Sequence, residues 1–419
     1  MSRTVVFVAS TMNQAAIFSP VAGCLEQRGW SCTGLSLAQY YRSNVIWPGS
    51  SPTEKVELVN PAPSSSPPWN ATPRELELLG RHCWNEAKEL LETLKPTVLV
   101  FGNDRGFLER ILARRARILG ARIVLVQDGS LTSKGLQTVG MGFLGRARLA
   151  FRQAAAQVCP ERFGLSPIIN APTPPYGTGD NDAIAVTDLY SAKLLLERGV
   201  PPKKLHLTGQ PRFDRFCHLH ETSRQLADIL ARRYPKRIRV VFATQPMAKW
   251  GEVAVEDYSR YLTAVLSAAT QMQERLVLLI RPHPAEDDSE YRRIAAAVAP
   301  QASEVVTDWD TQTLLAASDG LITAYSTCAT EAIILDRPLL LINPFPVQQG
   351  LPYHESGVAQ EIHDLAFAAA AIRETFIDGS GRHRLRRART RFLAEFVGPV
   401  DGRAALRVAD LIEMTAAEC

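Results

Sequence analysis

The sequence predicts an α/β protein made of two doubly wound, Rossmann-like parallel-sheet domains facing each other across a cleft. Three observations carry that expectation. The chain has 419 residues, more than one hydrophobic core usually serves. Aliphatic runs of strand length alternate with helical stretches in both halves, the pattern of parallel strands joined by right-handed crossovers. Polar turns follow the aliphatic runs directly, where open parallel sheets hold their ligands.

The first half reads strand by strand. Thr4–Ala9 is a buried strand, followed by a loop carrying Ser10, Thr11, Asn13 and Gln14. A helix is expected near Pro20–Arg28 and a second strand near Ser31–Leu37. Asn60–Pro73 is Pro/Ser-rich and ends in a helix start, with Thr72 as N-cap, Pro73 in the first turn and Glu75 as the capping-box partner. Thr97–Phe101 is a strand, Gly102–Gly106 a turn, and Phe107–Leu119 a helix stopped by Gly120. Arg122–Val126 is the next strand, with Gln127-Asp128-Gly129-Ser130 at its end. An irregular stretch, Ser166–Asp182, precedes the strand Ala183–Thr187 and the helix Leu189–Arg198. Leu205–Asp214 reads as a strand running into a hinge.

Alternation then restarts. Strands are expected at Ile238–Thr244, Leu276–Ile280, Glu304–Val306, Gly320–Thr323 and Leu339–Ile342. Helices are expected at Glu221–Arg233, Glu256–Arg275, Glu290–Val298, Thr311–Ala317 and Thr327–Leu335. Helices near Ile362–Phe376 and Arg382–Phe396 close the chain. The expected domains are 1–210 and 211–380, both Rossmann-like, and a helical tail, 381–419, that crosses back.

Composition narrows the class. Hydrophobic residues make up 46% and charged residues 21%, which excludes a disordered, coiled-coil or collagen-like chain. No run approaches the ~20 apolar residues of a membrane span, and Val5–Val8 is too short for a signal-peptide core, so a cytoplasmic protein is expected. The seven cysteines are scattered without a Cys-x-x-Cys pair and read as free thiols. A net charge of +4 is too small to imply nucleic acid, and none is expected as a partner. Two basic stretches, Met141–Arg152 and Arg382–Arg391, are either solvated faces or peripheral contacts with the inner face of an anionic membrane. There is no Gly-x-Gly-x-x-Gly after the first strand and no Walker loop.

The chemistry sits at the strand ends. Arg281-Pro282-His283-Pro284 follows an aliphatic strand; the prolines stiffen the loop, and Arg281 offers a planar fork suited to phosphate. The competing reading is a turn that merely contains Arg and His. Ser326 and Thr327 open a helix after Gly320–Thr323, where hydroxyls, free N–H groups and the helix dipole favour an anion; an ordinary N-cap competes. Glu331 either completes that cap or holds ribose hydroxyls. Thr244 and Gln245 follow the first strand of the second domain, where a donor phosphate would approach. Asn343-Pro344-Phe345 would wall a base pocket. Asp128, with Gly129, Ser130 and Lys134 in the same segment, is a strand-end carboxylate able to take a proton; a simple strand-end turn competes. Asp104 is either a second cleft carboxylate or a solvated turn acid, and Asn13 is placed to touch either an acceptor or a reacting phosphate.

Arg-Pro-His-Pro, then Ser-Thr before a helix, then Asp336-Arg337-Pro338-Leu339-Leu340 resembles sugar- and polyol-nucleotide transferases of the GT-B fold. The resemblance is to capsule and teichoic-acid enzymes: glycerophosphotransferases, bacterial sialyltransferases and Kdo transferases. Thr208–Asp214 resembles their Gly-x-Pro-Arg-x-Asp segment, and also that of non-hydrolysing UDP-GlcNAc 2-epimerases. It implies that His283, Arg281, Ser326 and Thr327 hold the phosphates of a nucleotide-activated sugar or polyol, with a cytidine nucleotide favoured over UDP. It implies a glycan or lipid-linked acceptor, and Asp128 as the base of an inverting transfer. Where the glycerophosphotransferases carry Trp-His-Gly-Thr-Pro-Leu-Lys, this chain has Gln-Asp-Gly, a departure from their histidine. No metal or other cofactor is expected, no Asp-x-Asp or His/Cys cluster being read at these strand ends. A sugar-nucleotide 2-epimerase and a non-catalytic sugar-nucleotide binder are the rival readings.

Overall fold

A computed structural model describes residues 3–60, 72–131, 165, 168, 173–346 and 350–418. Lys134, the basic stretch Met141–Arg152 and most of the Pro/Ser-rich segment lie outside them. The chain divides into two compact units, Met1–Asp214 with Gly398–Cys419, and Arg215–Val397. The expected boundary lay at 210/211 and the expected tail began at 381; the structure divides that tail, and only its last segment belongs with the first unit.

The first unit holds a seven-stranded sheet in the order β3-β2-β1-β4-β5-β6-β7. Its strands are β1 Thr4–Ala9, β2 Ser31–Ser36, β3 Glu54–Glu57, β4 Val98–Phe101, β5 Arg122–Val126, β6 Ala183–Val186 and β7 Leu205–Leu207. All pairings are parallel. The central strands are apolar throughout because both faces are covered. Val6, Val8, Leu99 and Phe101 enter one core layer, while Val5, Phe7, Val98 and Val100 enter the other. The edge strand β3, Glu-Lys-Val-Glu, escapes sequence reading: charged side chains suit an edge and leave no apolar run.

The first helix runs Met12–Gln27, straight through Pro20, rather than starting at Pro20. Thr11 accepts from the Gln14 N–H and sets the true start, so Asn13 lies exposed in the first helical turn and not in a loop. The capping box forms as expected, with Thr72 and Glu75 each bonding the other's backbone N–H. A last helix, Ala404–Ala417, is absent from the sequence reading. It buries Val408, Leu411 and Ile412 in the layer that also holds the first helix. Its first N–H groups, those of Ala404 and Ala405, donate to Asp214 at 3.0 and 2.8 Å. A Cβ on Gly209 would lie 2.7 Å from the Pro399 carbonyl oxygen, so that glycine admits the returning chain. Two residues of the Gly-x-Pro-Arg-x-Asp segment therefore anchor the C-terminus.

The second unit holds six parallel strands in the order β10-β9-β8-β11-β12-β13. They are β8 Ile238–Ala243, β9 Leu276–Arg281, β10 Ser303–Val305, β11 Gly320–Thr323, β12 Leu339–Ile342 and β13 Ala359–Ile362. The strand β13 replaces the start of the helix expected from Ile362; only short helical turns follow before the helix Ser380–Phe396. Ala-Gln-Glu-Ile, short and with two polar residues at its centre, does not announce a strand by itself. In both sheets the strand order reverses beside the first strand of the unit, between β1 and β4 and between β8 and β11. Ligand crevices of such sheets open at that reversal, beyond the carboxyl ends of the strands.

Candidate functional site

In the first unit the reversal opens into a cavity of about 810 Å³ lined by Ser10, Thr11, Gln14, Glu109, Asp128, Gly129 and Ser130 among others. Asp128 sits at the end of β5. Its Oδ2 accepts from Gln14 Nε2 at 2.8 Å, and Gln14 Oε1 accepts from the Ser10 backbone N–H at 2.8 Å. Burial raises the Asp128 carboxyl above the usual aspartate value, against the pull of the Gln14 hydrogen bond and the Arg212 charge. Arg212 belongs to the same Gly-x-Pro-Arg-x-Asp segment. Gln210 of that segment donates to the Gln127 carbonyl at 3.1 Å. The Gln127 amide bonds Gly129, Ser191 and Thr187 in turn, fixing the strand end that presents Asp128.

A second carboxylate in this cavity went unread. Glu109 is 3% exposed in the helix Phe107–Ile118, and Tyr41 Oη donates to it. Burial pushes it up to about 7, with Tyr41 and Ser10 pulling the other way. A Cβ on Gly106 would lie 1.9 Å from Glu109 Oε2, and one on Gly102 would lie 2.7 Å from the Gln14 side chain. The glycines of Gly-Asn-Asp-Arg-Gly thus make room for two cavity side chains. Glycines four apart in a strand-end turn were the available signal.

Asp104, in that same turn, is not among the cavity's lining residues. Its carboxylate accepts from the N–H groups of Gly177 and Gly179 and from Asn181 Nδ2, between 2.9 and 3.1 Å. It clamps the segment before β6 and is neither solvated nor presented to the cavity. Asn13 likewise does not line the cavity.

In the second unit the structure brings Thr244, Gln245 and His283 into one network, through residues the sequence did not single out. Glu286 Oε2 accepts from Thr244 Oγ1 at 2.7 Å and from the His283 backbone N–H at 3.0 Å. Its Oε1 accepts from Tyr291 Oη at 2.6 Å. Tyr291 bonds Tyr258 Oη at 3.1 Å, and Tyr258 accepts from the Gln245 backbone N–H at 3.2 Å. Burial first, and then the Glu286 charge, push the Tyr258 phenol up to about 12. The His-Pro loop is therefore bolted to its sheet by a carboxylate and two phenols.

His283 Nδ1 accepts from the Ala285 N–H at 3.1 Å, which puts the proton of a neutral ring on Nε2. Burial lowers its pKa below the usual histidine value, with Glu286 opposing. The ring meets Trp250 edge-on, centroids 5.7 Å apart. The result is an oriented imidazole with one N–H left to offer.

Arg281 differs from expectation. Its Nη1 donates to the carbonyls of Val306 and Thr307 at 3.2 and 3.0 Å, so much of its fork secures the neighbouring strand end. Ser326 is half-buried, one residue before the N-cap, and accepts from the Cys328 N–H at 3.2 Å, while the N-cap Thr327 is exposed with no side-chain cap bond. Glu331 is buried and accepts from Gln312 Nε2 at 2.9 Å. Phe345 packs against Tyr261, centroids 5.3 Å apart, in the core rather than as a pocket wall.

The sequence reading passed over two Asp-x-Asp triplets, Asp180-Asn181-Asp182 and Asp308-Trp309-Asp310. Asp180 and Asp182 pair with Arg117. Asp310 caps the helix Thr311–Ala317 and pairs with Arg215. No group of three or more potential metal ligands occurs among the described residues. Among them, too, no helix is long and apolar enough to cross a membrane.

The family model described as CDP-glycerol:poly(glycerophosphate) glycerophosphotransferase matches residues 197–414. Among solved structures, UDP-GlcNAc 2-epimerase from Neisseria meningitidis bound to UDP-GlcNAc is similar with a TM-score of 0.61 at 12% identity, covering 99% of this chain and 100% of that one. The wall teichoic acid polymerase TagF gives 0.53 at 13%, covering 100% and 89%. CalG4, the calicheamicin glycosyltransferase, gives 0.58 at 13%, covering 99% and 98%. At such identities the likeness is one of fold, the two-domain GT-B type. No curated protein sequence matches the chain.

Proposed function

Because the chain belongs to the CDP-glycerol:poly(glycerophosphate) glycerophosphotransferase family, we propose that it moves a polyol-phosphate or sugar unit from a cytidine-nucleotide donor to a hydroxyl of a growing surface glycan. The observation that carries this reading is the oriented His283, whose free Nε2–H suits a phosphate oxygen. In the mechanism, Asp128 takes the proton of an acceptor hydroxyl. The freed oxygen attacks the reacting centre of the donor, its β-phosphorus for a polyol phosphate, or the anomeric carbon, with inversion, for a sugar. The bond to the nucleotide phosphate breaks and the nucleotide leaves with its pair of electrons. His283 Nε2–H, Ser326 and Thr327 stabilise the departing charge; each well-aimed donor contributes about 2–4 kcal/mol. Gln14 keeps Asp128 aimed, and Glu286 keeps the His283 loop rigid.

The family match covers 197–414 and leaves Asp128 outside it. That supports a shared way of holding the donor and an acceptor chemistry of its own. The test is a donor panel. CDP-glycerol, a CMP-sugar and UDP-GlcNAc are each incubated with the protein, with and without a hydroxyl acceptor. Acceptor-dependent release of CMP from a cytidine donor is the expected result. Conversion of UDP-GlcNAc to its C2 epimer would make the protein an epimerase. A shift in nucleotide binding with no turnover of any donor would make it a non-catalytic binder.

A further inference from the structure

The second unit carries another cavity, of about 480 Å³, at the opposite end of its sheet from the His283 loop. Ile238 begins β8 and Pro338 precedes β12, and both line it. With β8 six residues long, the two ends are roughly 20 Å apart. The remaining lining is strongly basic: Lys236, Arg237, Arg239, Arg382, His383 and Arg386. These come from the start of β8 and from the first two turns of the helix Ser380–Phe396, so part of the basic run converges here instead of spreading over a helix face.

The charges do not cancel. Asp319 is the single acid of the lining, and Arg239 takes both its oxygens at 2.8 and 3.2 Å. Arg237 donates to the carbonyls of Leu276 and Gln301, which carry no charge, and its buried Nε has no partner. The side chains of Lys236, Arg382 and Arg386 have no acidic partner among the described residues. No side chain caps the helix Ser380–Phe396, whose N-cap Gly379 also lines the cavity, so its dipole adds to the positive field. Burial lowers the pKa of Arg337 next door; the charges of Arg382 and Arg239 act in the same direction, and those of Asp319 and Asp336 oppose them. Three cations without an acidic partner, beside Arg237 whose charge is met only by Glu274 outside the lining, repel one another around one concavity unless an anion joins them.

We propose that this cavity binds phosphodiester groups of the polymer on which the protein works, as a holding site remote from the reaction centre. The anion site rests on the geometry; the assignment to a polyol-phosphate chain rests on the transferase reading. Phosphates held here would keep a growing chain attached between turnovers without touching the donor.

The experiment titrates the full chain with a synthetic glycerol-phosphate oligomer, and separately with phosphatidylglycerol and phosphatidylcholine vesicles. Wild type is compared with the Arg382→Ala/Arg386→Ala double variant and with Lys236→Ala, all at exposed positions. The double variant is expected to bind the oligomer about 10–100-fold more weakly, on the worth of two charge-assisted contacts at a wet site. CDP-glycerol affinity and turnover on a single-unit acceptor stay unchanged. Unaltered affinity of both variants for the oligomer and for the phosphatidylglycerol vesicles overturns the site. Weakened binding to phosphatidylglycerol vesicles with unaltered oligomer binding overturns its assignment to a polymer and gives the cavity to a lipid headgroup. Weakened oligomer binding in a protein that releases no CMP from any donor keeps the anion site and removes the transferase reading.

Discussion

At the strand reversal of the first unit two carboxylates meet in one cavity, Asp128 and Glu109, both lifted above their ordinary pKa by burial. At the reversal of the second unit Glu286 spends its oxygens on Thr244, Tyr291 and the His283 backbone, and Glu331 accepts from Gln312. What that unit has left to offer is an imidazole N–H and hydroxyls. Two sheets with the same order of reversal thus present opposite chemistry, proton acceptors in one and donors to an anion in the other. Topology chooses where a ligand can sit; the side chains at the strand ends choose which chemistry it meets.

The sharpest way to break the comparison is Asp128→Asn. The amide keeps size and polarity but takes no proton, so kcat should fall by ~10²–10⁴ while donor affinity stays near wild type. Parallel loss of donor binding in calorimetry would make Asp128 a positioning group. Because its pKa is raised, wild-type turnover should climb with pH through a value above that of an ordinary aspartate.

His283→Ala removes the aimed N–H of the second unit. Donor affinity and turnover should both drop, by about 10²-fold, on the worth of one hydrogen bond to a charged group plus the lost placement. The melting temperature should hardly move, since the ring is only half-buried. A collapse of the melting temperature would instead make the His-Pro loop a structural part.

A milder change, Ser326→Ala with Thr327→Ala, should raise the donor dissociation constant about 10–100-fold. Loss of the Ser326 contact to Cys328 should also cost about 1 kcal/mol of stability, the net worth of one hydrogen bond at the helix start. Lower stability with unchanged donor affinity in calorimetry would reduce the pair to a cap.

The last effect leaves turnover aside, is on stability alone and concerns Glu109→Gln. Between its unfolded value near 4.5 and its folded value of about 7 the native state binds more protons than the unfolded chain, so stability falls as pH rises through this window. The cost is absent below 4.5 and complete above 7. Glutamine keeps the polar contact with Tyr41 and carries no charge to bury. The variant should match wild type at pH 4 and exceed it at pH 8 by up to about 3 kcal/mol in urea unfolding. Equal stability of the two proteins at pH 8 would mean that water reaches the carboxylate.

How much of this was legible follows from the range of each interaction. Aliphatic strands announce themselves within a few residues, so the central strands of both sheets and the capping box at Thr72 were readable from the sequence. So was the Arg-Pro-His-Pro turn, whose stiffness is written in its prolines. The edge strands β3 and β13 were not, because a strand with one neighbour is free to be polar. Nor was the start of the first helix, where Pro20 outweighed Thr11.

The sequence by itself determined the two parallel sheets, the strand ends that bear chemistry, and the candidacy of Asp128 and His283. Tertiary structure decided which neighbours tune them. Gln14 reaches Asp128 across 114 residues and Asp104 clamps Asn181 across 77, so no local pattern separates the cavity carboxylate from the structural one. It also decided that Asp214 caps a helix 190 residues away, and that a basic helix run lines a cavity with Lys236 and Arg237. The physical reason is that a backbone's preference is set by its nearest residues, whereas a carboxylate's protonation and a cation's partner are set by whatever the fold brings within a few ångströms.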